Sequence, residues 1–201
     1  MSRHAELDRG APPTVPPLEV RDRILATASA LFYRHGVRAV GVDLVVEEAG
    51  VAKTSLYRHF RTKDDLIAAF LRREDEDFWA TWDQAAEPYP ADAGAELRAQ
   101  LDWIGERVGR PGYRGCPQIN VAAEFPDIDP PARAGAIAHK KELRRRLRGI
   151  ADRLGAKRPD DLALQLSLLI NGAFVSAQVF DPGEAAPILQ ATARSLVAAN
   201  A

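Results

Sequence analysis

The stretch GVAKTSLYRHFRTKDDL, Gly50 to Leu66, decides how this chain folds. At about 100° per residue, a helix through it stacks Leu56 and Phe60 on one face, while Thr54 and Arg58 point away and Ser55, Tyr57 and Arg61 flank them. Ahead of it DLVVEEA, Asp43 to Ala49, reads as one short helix stopped by Gly50, the residue type that enters the left-handed conformation of a helix end most cheaply. Val51 then plugs the corner. Two short helices joined by a tight glycine-containing turn make a helix-turn-helix, and the outward face of the second is polar and basic.

Lys53, Arg58, Arg61 and Lys63 place four positive charges between Val51 and Lys63 with no acidic residue among them, and His59 stands beside them. A phosphate backbone attracts such a face, and a major groove admits such a helix. The competing reading is an ordinary amphipathic hairpin with a solvated charged face, the usual fate of basic helix faces. Short polar and aromatic residues near the helix start, a lysine just before a further helix and the lack of any glutamate favour DNA.

On these residues, the segment from Val20 to Phe70 resembles the DNA-binding domain of the TetR family of bacterial transcriptional regulators. The resemblance lies in ILATASALFYRHGV of a first helix, in V-x-x-x-A-G-V at Val45 to Val51, and above all in LYRHF-x-x-K-x-x-L at Leu56 to Leu66. It implies that Tyr57, His59 and Lys63 meet DNA phosphates and that Lys53, Thr54, Ser55 and Arg58 reach phosphates or base edges. Two features depart from the family pattern. Gly41 and Ala52 stand where a serine or threonine commonly caps a helix, and Thr54 and Ser55 replace a small glycine-containing pair, so base preference need not follow that of relatives.

The same resemblance implies an all-α fold, with an N-terminal three-helix helix-turn-helix domain followed by a larger helical domain for effector binding and dimerisation. The divisions read as an arm over 1–17, a DNA-binding domain over 18–62 and the effector and dimer domain over 63–201. In the family the last two helices pair with their copies to form a homodimer, and two recognition helices then read double-stranded DNA as a palindromic operator with half-sites about 34–36 Å apart or a multiple of that. Repression, relieved by a small apolar or aromatic effector, is the family's common mode.

Composition is compatible with this. A chain of 201 residues, 46% apolar, accommodates one or two compact domains, and a formal charge of −1 means that any DNA affinity comes from a local patch. Cys116 is alone, which excludes an intrachain disulfide and suits a reducing cytoplasm. MSRHAELDRGAPPTVPP lacks the apolar core of a signal peptide and reads as a mobile arm.

Helical periodicity runs through the remainder. Val20, Ile24, Ala28, Leu31 and Phe32 form the stripe of a first helix ended by Gly36, and a long helix from about Lys63 carries Leu66, Phe70, Phe78 and Trp82, with Thr62 as its cap. AEPYPADAG breaks it, a further helix spans about Ala95 to Val108, GRPGYRG breaks that, and another helix begins near Pro130. The cations from Lys140 to Arg153 lie opposite a stripe of Leu143, Leu147, Ile150 and Leu154, so they read as a solvated face rather than a second nucleic-acid site. Leu162 to Phe180 carries no charge, but Gln165, Ser167, Asn171, Ser176 and Gln178 interrupt it, and a core helix facing a partner subunit is favoured over a membrane span. Gly172, Ala173, Ser176 and Ala177 give it a small-residue face, and the final helix, about Glu184 to Asn200, has a stripe of Ile188, Leu189, Thr192 and Leu196.

Candidate walls of an effector pocket are Trp103, Phe125 and Phe174, with Gln118, Asn120, Asn171 and Gln178 as polar contacts; each is equally at home in a plain core. Cys116 reads as buried or inert, with only Arg114 nearby to activate it. No metal-binding or nucleotide-binding motif and no catalytic constellation is present, so neither a cofactor nor an enzyme activity is assigned; His139 and Glu142, one turn apart, do not make a site. A helical adaptor that binds only proteins is the other class, distinguished by the absence of salt-sensitive DNA affinity.

Overall fold

The computed structural model describes residues 19–125, 131–176, 179, 181 and 183–201, and the chain is all-α: no strand occurs among them. The 1–17 arm, the start near Pro130, and Ala177, Gln178 and Phe180 at the end of the uncharged run lie outside the described residues.

Three helices build the N-terminal unit: α1 (Val20–His35), α2 (Val42–Ala49) and α3 (Lys53–His59). Ile24, Ala28 and Phe32 of α1 are buried as their spacing predicts, whereas Val20, in the first position of the helix, is exposed and Leu25 is buried instead. Gly36 ends α1 at φ +88°, and Gly50 ends α2 in the left-handed region at φ 60°, ψ 44°. Leu56, 0% exposed, drives α3 into this core. Full burial of one leucine contributes about 1.5–3 kcal/mol, which is a large fraction of what a seven-residue helix needs to hold its place.

Helix α4 (Lys63–Ala86) starts on a complete capping box: Thr62 Oγ1 accepts the Asp65 N–H at 3.0 Å, and the Asp65 carboxylate accepts the Thr62 N–H at 3.1 Å. Its first two turns belong to the N-terminal core, where Phe70 meets Phe32 with ring centroids 5.8 Å apart. Phe78 and Trp82, further along, belong to a second core. One helix therefore enters both cores, so a rotation at either end is felt at the other.

That second core is made with α5 (Ala93–Val108), α6 (Pro117–Glu124), α7 (Pro131–Arg153), α8 (Pro159–Ser176) and α9 (Ala185–Asn200). Helix α5 begins two residues before the sequence pattern suggests because Asp92 caps it, accepting the Ala95 N–H at 2.8 Å. Leu143, Leu147 and Ile150 of α7 are buried, and four of the cations opposite them are in ion pairs, Arg145 and Arg146 with Glu142, Arg148 with Asp152 and Asp160, Arg153 with Glu96, whereas Lys140 departs from the predicted solvated face and turns inward to Cys116. Helix α9 divides the predicted stripe: Leu189 is buried together with Ala193, one turn beyond it, while Ile188 faces solvent in the protomer. No described helix is long and apolar enough to cross a membrane.

Candidate functional site

The packing of Leu56 and Phe60 against α1 and α2 turns the other sides of α3 outward. Lys53, Thr54, Tyr57, Arg58 and His59 are exposed, and Ser55 and Lys63 are half-buried, so all seven predicted DNA contacts come from α3 and the first residue of α4. Arg21 of α1 sits 5.5 Å over the Phe60 ring, placing one more cation beside this face that the α3 pattern alone does not reveal. Neither Gly41 nor Ala52 makes a side-chain cap, as their residue types dictate.

Lys53 carries a qualification. Its Nζ lies 2.5 Å from Asp43 Oδ1 of α2, and the hydrogen bond and charge of that carboxylate raise the ammonium's pKa. Both groups are exposed, so the pair is weak, and a phosphate would have to compete with Asp43 for Lys53. The sequence does not signal this partner, because Asp43 and Lys53 meet only across the turn.

The residues predicted to line an effector pocket fall into separate places. Gln118 and Phe174 face one small void bounded by Phe78, Cys116 and His139, and Trp103 stands behind Phe78, ring centroids 5.0 Å apart. Asn120 lies elsewhere, in a cleft with Tyr33 and Glu124 at the junction of the two cores, where its Nδ2 donates to the Arg114 carbonyl at 2.8 Å. Phe125 packs on the N-terminal core under the Arg38 guanidinium, 5.8 Å away. Asn171 donates to Ser167 Oγ at 3.5 Å within α8, and Gln178 is outside the described residues. A larger apolar cavity of about 680 Å³, between Leu169, Ala173 and Val108 on one side and Ile188 and Leu189 of α9 on the other, involves none of the six that lie among the described residues.

Around the small void the structure assembles groups with no common sequence signal. His139 Nδ1 pairs with Asp75 Oδ1 at 2.6 Å, and the same oxygen accepts the Trp79 indole N–H at 2.8 Å. The imidazole thus belongs to α4 rather than to Glu142, which Arg145 and Arg146 occupy. Burial pushes the Cys116 thiol up, but the neighbouring His139 ring and the charge of Lys140 more than offset it and hold it at about 7. Cys116 is buried, as read from sequence, but its activating neighbours are His139 and Lys140 rather than Arg114.

Comparison with known proteins agrees with this geometry. Residues 24–70 match the family model for bacterial regulatory proteins of the tetR family. An HTH-type transcriptional regulator of Staphylococcus aureus is 30% identical over 87 residues, 43% of this chain and 46% of that protein. The HTH-type transcriptional activator FasR of Mycolicibacterium smegmatis is 42% identical over 55 residues, 27% of this chain and 25% of that one. The chain thus spans less than half the length of the curated relatives it matches. The crystal structure of SCO4454, a TetR-family transcriptional regulator from Streptomyces coelicolor, superposes with a TM-score of 0.87 at 30% identity, over 90% of this chain and 95% of that one. With the recognition-helix segment and the whole helical architecture both matched, this chain belongs to the TetR family of DNA-binding transcriptional regulators, which are not enzymes.

Proposed function

We propose that the protein is a homodimeric repressor that grips a palindromic operator through α3 and releases it when a small apolar or aromatic molecule binds among the helices of the C-terminal domain. The observation that carries this reading is the division of α3 into a buried apolar edge, Leu56 and Phe60, and an exposed edge of Lys53, Thr54, Tyr57, Arg58 and His59. In this reading 18–62 is the DNA-binding unit and 63–201 the effector and dimer unit, with α4 as the mechanical link.

Dimerisation through α8 and α9 is supported by apolar side chains that face solvent in one protomer. Leu164, Leu168 and Val175 are 42%, 64% and 57% exposed along one side of α8, and Ile188 beside them is 63% exposed. A second copy covering this stripe removes it from water, and the two-fold axis sets two recognition helices at half-site spacing. Occupancy of promoter DNA is enough for repression. The match to an activator spans only 55 residues, 27% of this chain, and so does not carry the sign of regulation.

An effector that favours the DNA-incompetent arrangement by about 1–3 kcal/mol lowers operator affinity roughly 5- to 150-fold. Selection of bound fragments from genomic DNA with the purified protein tests the reading. Enrichment of an inverted repeat is the expected result, and fragments without any shared repeat would refute operator recognition.

A further inference from the structure

We propose that the chamber between α4, α5, α6 and α7 is a covalent capture site, in which Cys116 adds to a small planar electrophile bearing a conjugated carbonyl and an N–H or O–H donor, and α6 passes the event to the DNA-binding helices. The proposal rests on the regulator reading above and gives its effector a chemical class.

The chain has a single cysteine, placed at the N-cap of α6 and 6% exposed. A merely structural thiol in such a place sits among apolar groups, and burial raises its pKa. Here Lys140 Nζ approaches Sγ to 3.5 Å and also stands 5.2 Å over the Phe174 ring. His139 is the looser neighbour, since its Nε2 meets no acceptor at full hydrogen-bond geometry, while Asp75 fixes its Nδ1 side. Tyr33 from α1, Glu74 and Asp75 from α4, Arg107 from α5, Tyr113 from the loop before α6, and His139 and Lys140 from α7 are titratable or charged groups around the thiol. Burial raises the thiol, but His139, the charge of Lys140 and the Ile119 backbone more than offset it and hold it at about 7, so near neutrality an appreciable fraction is thiolate, the nucleophilic form.

A second observation points to a ligand at the same place. The Gln118 amide, 3% exposed, donates through Nε2 to the Leu71 carbonyl at 2.9 Å, but its Oε1 borders the void without any partner. A buried acceptor left unpaired costs about 1–3 kcal/mol, and a donor-bearing guest removes that cost. The void itself measures about 10 Å³, the space of a single water molecule. Beyond it lies a cleft of about 340 Å³ reaching Ser29 and Tyr33 of α1, and Glu74, Arg107 and Tyr113 line both spaces. The Arg107–Glu74 contact is long, 3.9 Å, so the partition is a weakly latched pair and one aromatic ring.

The residues favour a carbon electrophile over a peroxide. With no second cysteine in the chain, a sulfenic acid has no intrachain thiol to resolve it. Phe78 and Phe174 offer flat apolar walls to a conjugated molecule, and Arg107 and Lys140 supply positive charge where an enolate oxygen develops. In the step, the thiolate sulfur bonds to the β-carbon and the C=C π pair moves toward the carbonyl oxygen. The resulting enolate takes a proton at the α-carbon from the Lys140 ammonium, which water then reprotonates.

Helix α6 supplies the connection to DNA because both its ends are held by the N-terminal unit. Just before Cys116, the Tyr33 hydroxyl accepts the Arg114 N–H at 2.8 Å and donates to the Gly115 carbonyl at 3.2 Å. At the other end, Glu124 accepts the N–H groups of Val37 and Arg38. An adduct too large for the void displaces α6 and pulls on both attachments.

Intact-mass spectrometry of the folded protein treated with maleimide or acrylamide, conjugated carbonyls that carry an N–H donor, combined with DNA binding before and after treatment, tests this. The expected result is one adduct per chain mapped to Cys116, a rate that rises through a midpoint near pH 7, and at least a tenfold loss of DNA affinity on treatment. Lys140→Met moves the rate midpoint upward, and Cys116→Ser protein gains no mass and shows no change on treatment. Addition only in denaturant, a midpoint that Lys140→Met leaves unmoved, preferential oxidation by hydrogen peroxide, or an adduct that binds DNA as before would each overturn the proposal. Failure of the untreated protein to bind any DNA would instead remove the regulator reading and the signalling step with it, a result separable from the mass measurement.

Discussion

The carboxylate of Glu124 lies 2.7 Å from the backbone nitrogen of Arg38, so the last residue of α6 holds the turn between α1 and α2 from 86 residues away. The other carboxylate oxygen takes the Val37 N–H at 3.1 Å. These are the contacts through which movement of α6 reaches the helix-turn-helix. Glu124→Ala leaves two N–H groups unpaired at a partly buried site and costs about 1–2 kcal/mol of stability. Thermal denaturation measures the loss, and hydrogen exchange at the Val37 and Arg38 amides shows whether it is local.

Gly36 is tied to the same contact. Its φ is +88°, and an added Cβ would stand 2.9 Å from Glu124 Oε1. Gly36→Ala combines backbone strain of about 1–3 kcal/mol with a clash that pushes the carboxylate off its N–H partners. At Gly50 the backbone is also left-handed, but a Cβ meets nothing within 4 Å, so Gly50→Ala costs only about 1 kcal/mol. Chemical denaturation of the two variants should rank Gly36→Ala as the more damaging.

Arg58→Ala combined with Lys63→Ala removes two cations from the exposed edge of α3 and the start of α4 while leaving Leu56 and Phe60 in place. The expected effect is weaker DNA binding together with a drop of about 2 in the salt slope of log Kd, near 0.9 per phosphate lost. Fluorescence anisotropy over a salt series reads both quantities. An unchanged slope would show that these side chains do not meet phosphates.

Asp43 Oδ1 lies 2.5 Å from Lys53 Nζ, so in the proposed complex a phosphate would compete with it for that ammonium. Asp43→Asn frees the ammonium and removes a negative charge from the interface, so DNA binding tightens by up to about fivefold, the scale of one exposed ion pair. Weaker binding would mean that the Lys53–Asp43 pair orients α3 rather than restrains it.

Leu168 is 64% exposed in the middle of the apolar side of α8. Leu168→Glu buries two carboxylates against each other in the proposed dimer and turns dimer into monomer. Sedimentation velocity reports the change, and half-site DNA affinity falls toward that of a single short helix. A variant that remains dimeric would move the interface elsewhere.

Legibility in the sequence followed the range of each interaction. Helix ends were readable where a local group sets them: Gly36, Gly50 and the Thr62–Asp65 capping box act within one turn. Asp92 shows the limit, since it caps α5 two residues before the apolar pattern suggests a start. The α9 stripe divides in one protomer, Leu189 buried and Ile188 exposed, and Ala193 on the buried side is too small for periodicity to mark it.

By itself, the sequence determined the all-α class, the helix-turn-helix and the outward polar edge of α3, because helix periodicity and turn chemistry are set by residues three or four apart. The tertiary structure alone decided that Phe125 and Asn120 belong to the domain junction, that Asp43 holds Lys53, and that Cys116 and His139 meet at one void, with Lys140 against the thiol and Asp75 against the imidazole. Those groups come from α2, α4, α6 and α7, brought together only when the apolar faces of separate helices pack. No spacing along a chain encodes such a meeting, because the positions of the side chains depend on how whole helices cross.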